Sequence, residues 1–157
     1  MRRTKETARL RAVAALATAL VVAGVFAACG PSSGADPSQR VYTRDFEIRV
    51  RSDVVPPRSL EPTLYTIVVR DKKTREPVVN GEGRIFATNS DGKTIYDGFT
   101  YGPEVGTYHA KLMFLTAGEW AMSVQFRRDS SLALQKPEYD WRQEIRAGTE
   151  PGESTRP

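Results

Sequence analysis

Four side chains in this sequence carry chemistry beyond ordinary surface and core. They are the single cysteine, Cys29, the single histidine, His109, and two of the three methionines, Met113 and Met122. Thiolate, imidazole and thioether are the donors that suit a soft ion such as copper. Their spacing works against a common coordination shell. His109 and Met113 stand four positions apart, about 13 Å along an extended strand, and on one face of it. Met122 falls on the opposite, apolar phase of the next strand. His109 therefore reads as a solvated strand residue and Met122 as core. A copper reading would need two molecules sharing an ion through His109 or Met113.

Catalytic patterns are no better served. A lone histidine has no G-x-S-x-G partner for a nucleophile elbow, and no glycine-rich run cradles phosphate. Asn89-Ser90-Asp91-Gly92 reads as a turn, because the ligands that would complete a calcium loop do not follow it. The expectation is a protein that is not an enzyme, with no catalytic residues, no bound metal and no cofactor.

Cys29 takes its meaning from what precedes it. A basic stretch, Met1–Arg11, is followed by an unbroken weakly apolar run from Ala12 to Ala28, ending in small residues. That is the three-part pattern of an export leader. Phe26-Ala27-Ala28-Cys29-Gly30 resembles the bacterial lipobox. The resemblance implies that residues 1–28 are a cleaved signal helix and that Cys29 is the site of lipid attachment. The competing reading is an uncleaved anchor, but a run of about 17 residues rich in alanine is at the lower limit of a span. Each buried methylene contributes about 0.8 kcal/mol, and two or more acyl chains hold a protein stably at a membrane. Residues 29–40, with two Pro, two Gly and three Ser, read as a flexible tether.

Charge supports this division. The leader holds five basic residues and one acidic one. The rest of the chain keeps 18 of the 23 basic and 18 of the 19 acidic side chains, so it is neutral overall. The excess of +4 belongs to the leader. Nothing in the overall balance argues for nucleic acid as a partner.

From Val41 onward the apolar residues repeat every second position. Phe46, Ile48 and Val50 alternate with Glu47, Arg49 and Arg51; Tyr65, Ile67 and Val69 form another set after Pro56, Pro57 and Pro62. Asn80-Gly81 and Asn89–Gly92 mark turns, with short strands expected at residues 84–88 and 93–99. In residues 106–127, a three-residue loop at Thr116-Ala117-Gly118 would pair Phe114 with Trp120, Leu112 with Met122, Ala110 with Val124 and Tyr108 with Phe126. That hairpin has one apolar and one polar face, with Gly118 where positive φ is wanted. The whole reads as an all-β, immunoglobulin-like antiparallel β-sandwich of about seven strands over residues 41–130. In residues 131–157, Leu132 and Leu134 are expected to continue the packing, Tyr139, Trp141 and Ile145 to form a further strand, and Ala147–Pro157 to be a disordered tail. The rings of Tyr101-Gly102-Pro103 and the Tyr139–Trp141 segment read as edge packing against the sandwich, with exposure on loops for binding as the alternative.

Val68-Val69-Arg70-Asp71 with Glu76-Pro77-Val78, then Gly106-Thr107-Tyr108-His109-Ala110, then Phe114–Trp120 running into Val124-Gln125-Phe126, resemble the YtkA-like/FixH-like domains of bacterial envelope proteins. The resemblance covers about 40% of the chain and consists of core and turn residues, so it speaks for fold more than for function. It implies a sandwich facing the cell envelope, in a family with links to copper handling and respiratory oxidase assembly. The functional expectation is a lipid-anchored lipoprotein of the cell membrane or outer membrane, its domain outside the cytoplasm, serving as a non-catalytic binding or assembly module for a protein partner. Its alternative is a periplasmic copper carrier.

Overall fold

A computed structural model describes residues 38–148. The leader, Cys29, most of the tether and the last nine residues of the tail lie outside them. Among the described residues all regular structure is strand, in nine segments. These are β1 (Gln39–Tyr42), β2 (Phe46–Ser52), β3 (Pro62–Asp71), β4 (Glu82–Asn89), β5 (Thr94–Gly98), β6 (Thr100–Tyr101), β7 (Thr107–Met113), β8 (Gly118–Arg127) and β9 (Trp141–Ile145). They form two antiparallel sheets, one ordered β1-β2-β3-β7-β6 and the other β5-β4-β8-β9. The expected sandwich is present, with nine strands rather than about seven, because β1 and the two-residue β6 extend the five-stranded sheet.

The strands form where the alternation is cleanest. In β3 the buried positions are Thr63, Tyr65, Ile67 and Val69, separated by exposed or half-buried residues. Each apolar face is turned inward, and the two faces meet in a core of large side chains. Phe46 and Tyr108 of one sheet each make an edge-to-face contact with Phe126 of the other, at centroid separations of 5.0 and 5.5 Å. Such a geometry sets the positive ring edge against the negative ring face.

Residues 106–127 fold differently from the expected hairpin. The strands are there, and so are their faces: Tyr108, Ala110, Leu112, Phe114, Trp120, Met122, Val124 and Phe126 are all buried. The pairing is not. β7 lies between β3 and β6, with Ala110 opposite Tyr65, while β8 lies between β4 and β9, with Met122 opposite Ala87. The chain crosses from one sheet to the other between Met113 and Gly118. The two apolar faces therefore look at each other across the core. This arrangement buries both faces against one another, which a hairpin within a single sheet would leave to other strands. Gly118 does adopt positive φ, +116°, at this crossing.

Two further boundaries move. Gln39 and Arg40, expected in the tether, pair with Val50 and Arg49 as part of β1. Leu132 and Leu134 do not continue the packing; they are exposed. The segment that holds them is fastened instead by Gln135, whose backbone pairs with Phe126 and whose side-chain amide donates to Asp45 at 2.6 Å. The further strand expected near 139–145 is β9, bonded to β8.

Candidate functional site

His109 and Met113 share the outer face of the five-stranded sheet, as their spacing requires. His109 sits opposite Thr66 on β3 and Thr100 on β6, with its Nδ1 3.5 Å from the Thr66 hydroxyl. Met113 is exposed, and Met122 is fully buried in the other sheet. Among the described residues, no three His, Cys, Asp or Glu side chains converge as metal ligands would. Cys29 lies outside the described residues.

Among the described residues, clefts lie elsewhere on the surface: the largest, of about 440 Å³, is a charged one beside Asp45, Asp71 and Arg128, and two that are more apolar meet at the sheet edges. β1 is an edge of one sheet and β9 an edge of the other, and residues of both strands line the same two clefts. The first, of about 290 Å³, has Val50, Tyr65 and Trp141 among its walls with Gln39 and Gln143 at its polar side. The second, of about 300 Å³, shares Gln39 and Trp141 with the first and adds Tyr42 and Tyr139. Tyr139 is 76% exposed, while Trp141 packs partly against the core. Apolar walls with a few polar groups are the usual character of a binding cleft. The sequence singled out Tyr139 and Trp141. Gln39, Tyr42 and Tyr65 could not be found that way, because only the folded sandwich sets the first strands beside the last.

Tyr65 closes the floor of this seam. Its hydroxyl donates to the side-chain oxygen of Gln143 at 3.2 Å, linking residues 78 positions apart. Burial, and secondarily the charge on Asp53, holds this phenol well above the ordinary tyrosine range. Tyr108 is raised for the same first reason. An acid whose pKa rises on folding stabilises the fold below its unfolded pKa, here about 10, and loses that contribution as pH climbs through the folded value. Urea midpoints should therefore stay level from neutral pH to about 10 and fall beyond it, and Tyr65→Phe should reduce that alkaline fall. A midpoint curve for Tyr65→Phe parallel to the native one at high pH would show that this phenol is not the responsible group.

The second candidate surface is charged. Side chains on the outer face of the five-stranded sheet surround Glu47, whose own side chain is only 4% exposed. Arg40 and Arg49 approach one of its oxygens at 3.5 and 3.3 Å, and Arg75, from the loop after β3, pairs with the other. A buried carboxylate needs this company, since an unpaired one would lose its hydration without replacement. Overall neutrality had argued against any basic face. The sheet nevertheless segregates charge, because the register of the consecutive strands β1, β2 and β3 sets their alternate arginines on one face.

The other ring singled out from the sequence, Tyr101, leans on Tyr108 at 5.5 Å and keeps 63% of its surface open. It borders a smaller cleft of about 190 Å³ with Val79, Pro103 and Val105.

No protein-family model matches the chain, and no curated protein matches it. Among solved structures, it is similar to a DUF4426 family protein from Pseudomonas aeruginosa PAO1, at 15% identity and a TM-score of 0.51, covering 71% of this chain and 97% of that one. A copper-bound variant of FetP from uropathogenic Escherichia coli strain F11 aligns at 12% identity over 76% of this chain and 96% of that one, with a TM-score of 0.45. The first likeness is one of fold: this chain carries an all-β sandwich of the same general kind.

Proposed function

We propose that the chain is a lipid-anchored envelope protein whose sandwich is a non-catalytic binding or assembly module. In this reading residues 1–28 are an export leader and Cys29 carries the lipid. The β1/β9 seam is the surface offered to a protein partner. The observation that carries the reading is the position of β1. It is the first strand after the tether, it forms a sheet edge, and together with β9 it frames both aromatic clefts. The anchor would thus hold this aromatic edge at a short, limited distance from the membrane. The resemblance to YtkA-like/FixH-like domains supports a respiratory or metal-handling complex as the partner.

Cys29→Ser tests the anchor. Fractionated cells should show the protein moving from membranes to the soluble fraction. Retention on the membrane with the leader still attached would establish the uncleaved anchor instead. Cu(I) titration of the purified protein separates the module from a carrier. Weak or absent binding fits the module, and a tight stoichiometric complex lost in His109→Ala would replace it.

A further inference from the structure

The outer face of the five-stranded sheet has a charge pattern that the seam does not explain. Register and burial together place Arg40, Arg49, Arg51, Arg70 and Lys111 on this face, with Glu47 as the single carboxylate among its strand residues. Glu47 is buried and already engaged by Arg40, Arg49 and Arg75. Arg51 and Lys111 stand exposed. The outer face of the four-stranded sheet is balanced: Arg84, Arg127 and Arg142 stand with Glu82, Glu119 and Glu144. The two sheets of one domain thus differ sharply in charge.

We infer that the outer face of the five-stranded sheet docks on anionic lipid headgroups of the membrane that holds the tether. The inference rests on the anchoring proposed above. Three observations carry it. A sheet face is broad and flat, and so matches a plane of headgroups better than it matches a single extended peptide. At the β3/β7 end the basic face gives way to exposed Leu64 and Met113, with Leu64 directly opposite Lys111. Apolar side chains bordered by basic ones are the composition of a surface that settles at the headgroup boundary. Finally, the chain enters the fold through β1, whose Arg40 belongs to this face. Nine residues separate Cys29 from Gln39, ten Cα–Cα steps with a reach of about 35 Å at most. A tether that short keeps the face at a high effective concentration near the bilayer, so weak attraction suffices to populate the docked state. Each basic side chain near an anionic surface strengthens binding about fivefold.

The test uses the mature lipoprotein reconstituted into vesicles, with a dye on Thr100→Cys, at the edge of the basic face, or on Thr94→Cys, on the opposite face. Both threonines are exposed, and the lipidated Cys29 thiol does not take the dye. Energy transfer to labelled lipid should be stronger from position 100 than from 94 in vesicles containing phosphatidylglycerol. The difference should vanish in pure phosphatidylcholine, or at about 1 M salt, where screening is complete within a few ångströms. Arg51→Gln with Lys111→Gln should lower the docked-to-free ratio about 25-fold. Arg84→Gln with Arg142→Gln removes the same charge from the other face and should change it by less than about twofold. Equal transfer from both positions in phosphatidylglycerol vesicles, or equal effects of the two variant pairs, overturns the docking while leaving the anchor standing. Failure of the protein to float with the vesicles overturns the anchor, and the docking with it.

Discussion

Trp120→Ala is expected to lower the stability of the sandwich by about 3–5 kcal/mol, the largest effect of any single truncation in this core. Trp120 is fully buried and leads the core in volume. Its ring meets Phe114 edge to face at 5.3 Å, and its indole N–H donates to the Thr116 carbonyl at 3.1 Å. Those two contacts fasten the crossing between β7 and β8 from both sides, so alanine there would open a cavity and release the crossing together. A domain of this size loses roughly 4 °C of melting temperature per kcal/mol, which puts the expected drop at roughly 12–20 °C. Thermal unfolding followed by far-ultraviolet circular dichroism measures it. A fall of only a few degrees would mean that the crossing is held by something other than this side chain.

Tyr108→Phe should cost about 2–3 kcal/mol although it removes a single oxygen atom. The Tyr108 hydroxyl donates to the Val78 carbonyl at 2.7 Å and accepts the Gly81 N–H at 3.1 Å, both in buried surroundings. Phenylalanine would keep the ring contacts with Phe99, Tyr101 and Phe126. It would leave a carbonyl and an amide without partners where water does not reach, and that desolvation is what makes the loss large. Hydrogen exchange gives a local check: the Gly81 amide should lose protection well before the amides of β8. Tyr101→Phe is the comparison, since this largely exposed residue donates only a long hydrogen bond of 3.4 Å to the Gly81 carbonyl; its effect should stay within about 0.5 kcal/mol. Similar losses in the two variants would show that the Tyr108 hydroxyl does not pin the loop between β3 and β4.

Tyr108 also shows what a sequence pattern leaves unsaid. Alternation marked it as an inward residue of β7, and it is buried. Nothing in the pattern named the loop its hydroxyl would hold, because Val78 and Gly81 are recognised through backbone groups that every residue possesses. Turns were easier to read, since they depend on side-chain chemistry close in sequence. The Asn89 side chain accepts from the amides of Asp91 and Lys93, and Gly92 takes positive φ, as an Asn-initiated turn before β5 requires. Gly106 is the opposite case: at φ +75° any Cβ would meet Pro77 at 2.5 Å, a contact 29 positions away that only the fold reveals.

The candidate sites divide along the same line. His109, Met113 and Met122 took the faces their spacing implied, because in a strand the direction of a side chain follows from its position alone. The seam between β1 and β9 and the basic face around Glu47 were not legible. The seam gathers residues from segments far apart, and the basic face depends on strand register, which a total charge does not reveal.

Local features of the sequence were enough for the all-β class, the inward residues of most strands and the places where the chain turns. They rest on two local rules: a period of two, and residues able to adopt turn geometry. Tertiary structure alone decided which strands are neighbours. Backbone hydrogen-bonding groups are the same at every position, so a strand with one apolar face can join several partners equally well along its edges. Closing the core settled the choice here, by placing β7 and β8 in opposite sheets with their apolar faces together. The same closure left β1 and β9 as neighbouring edges and gathered the arginines on one outer face.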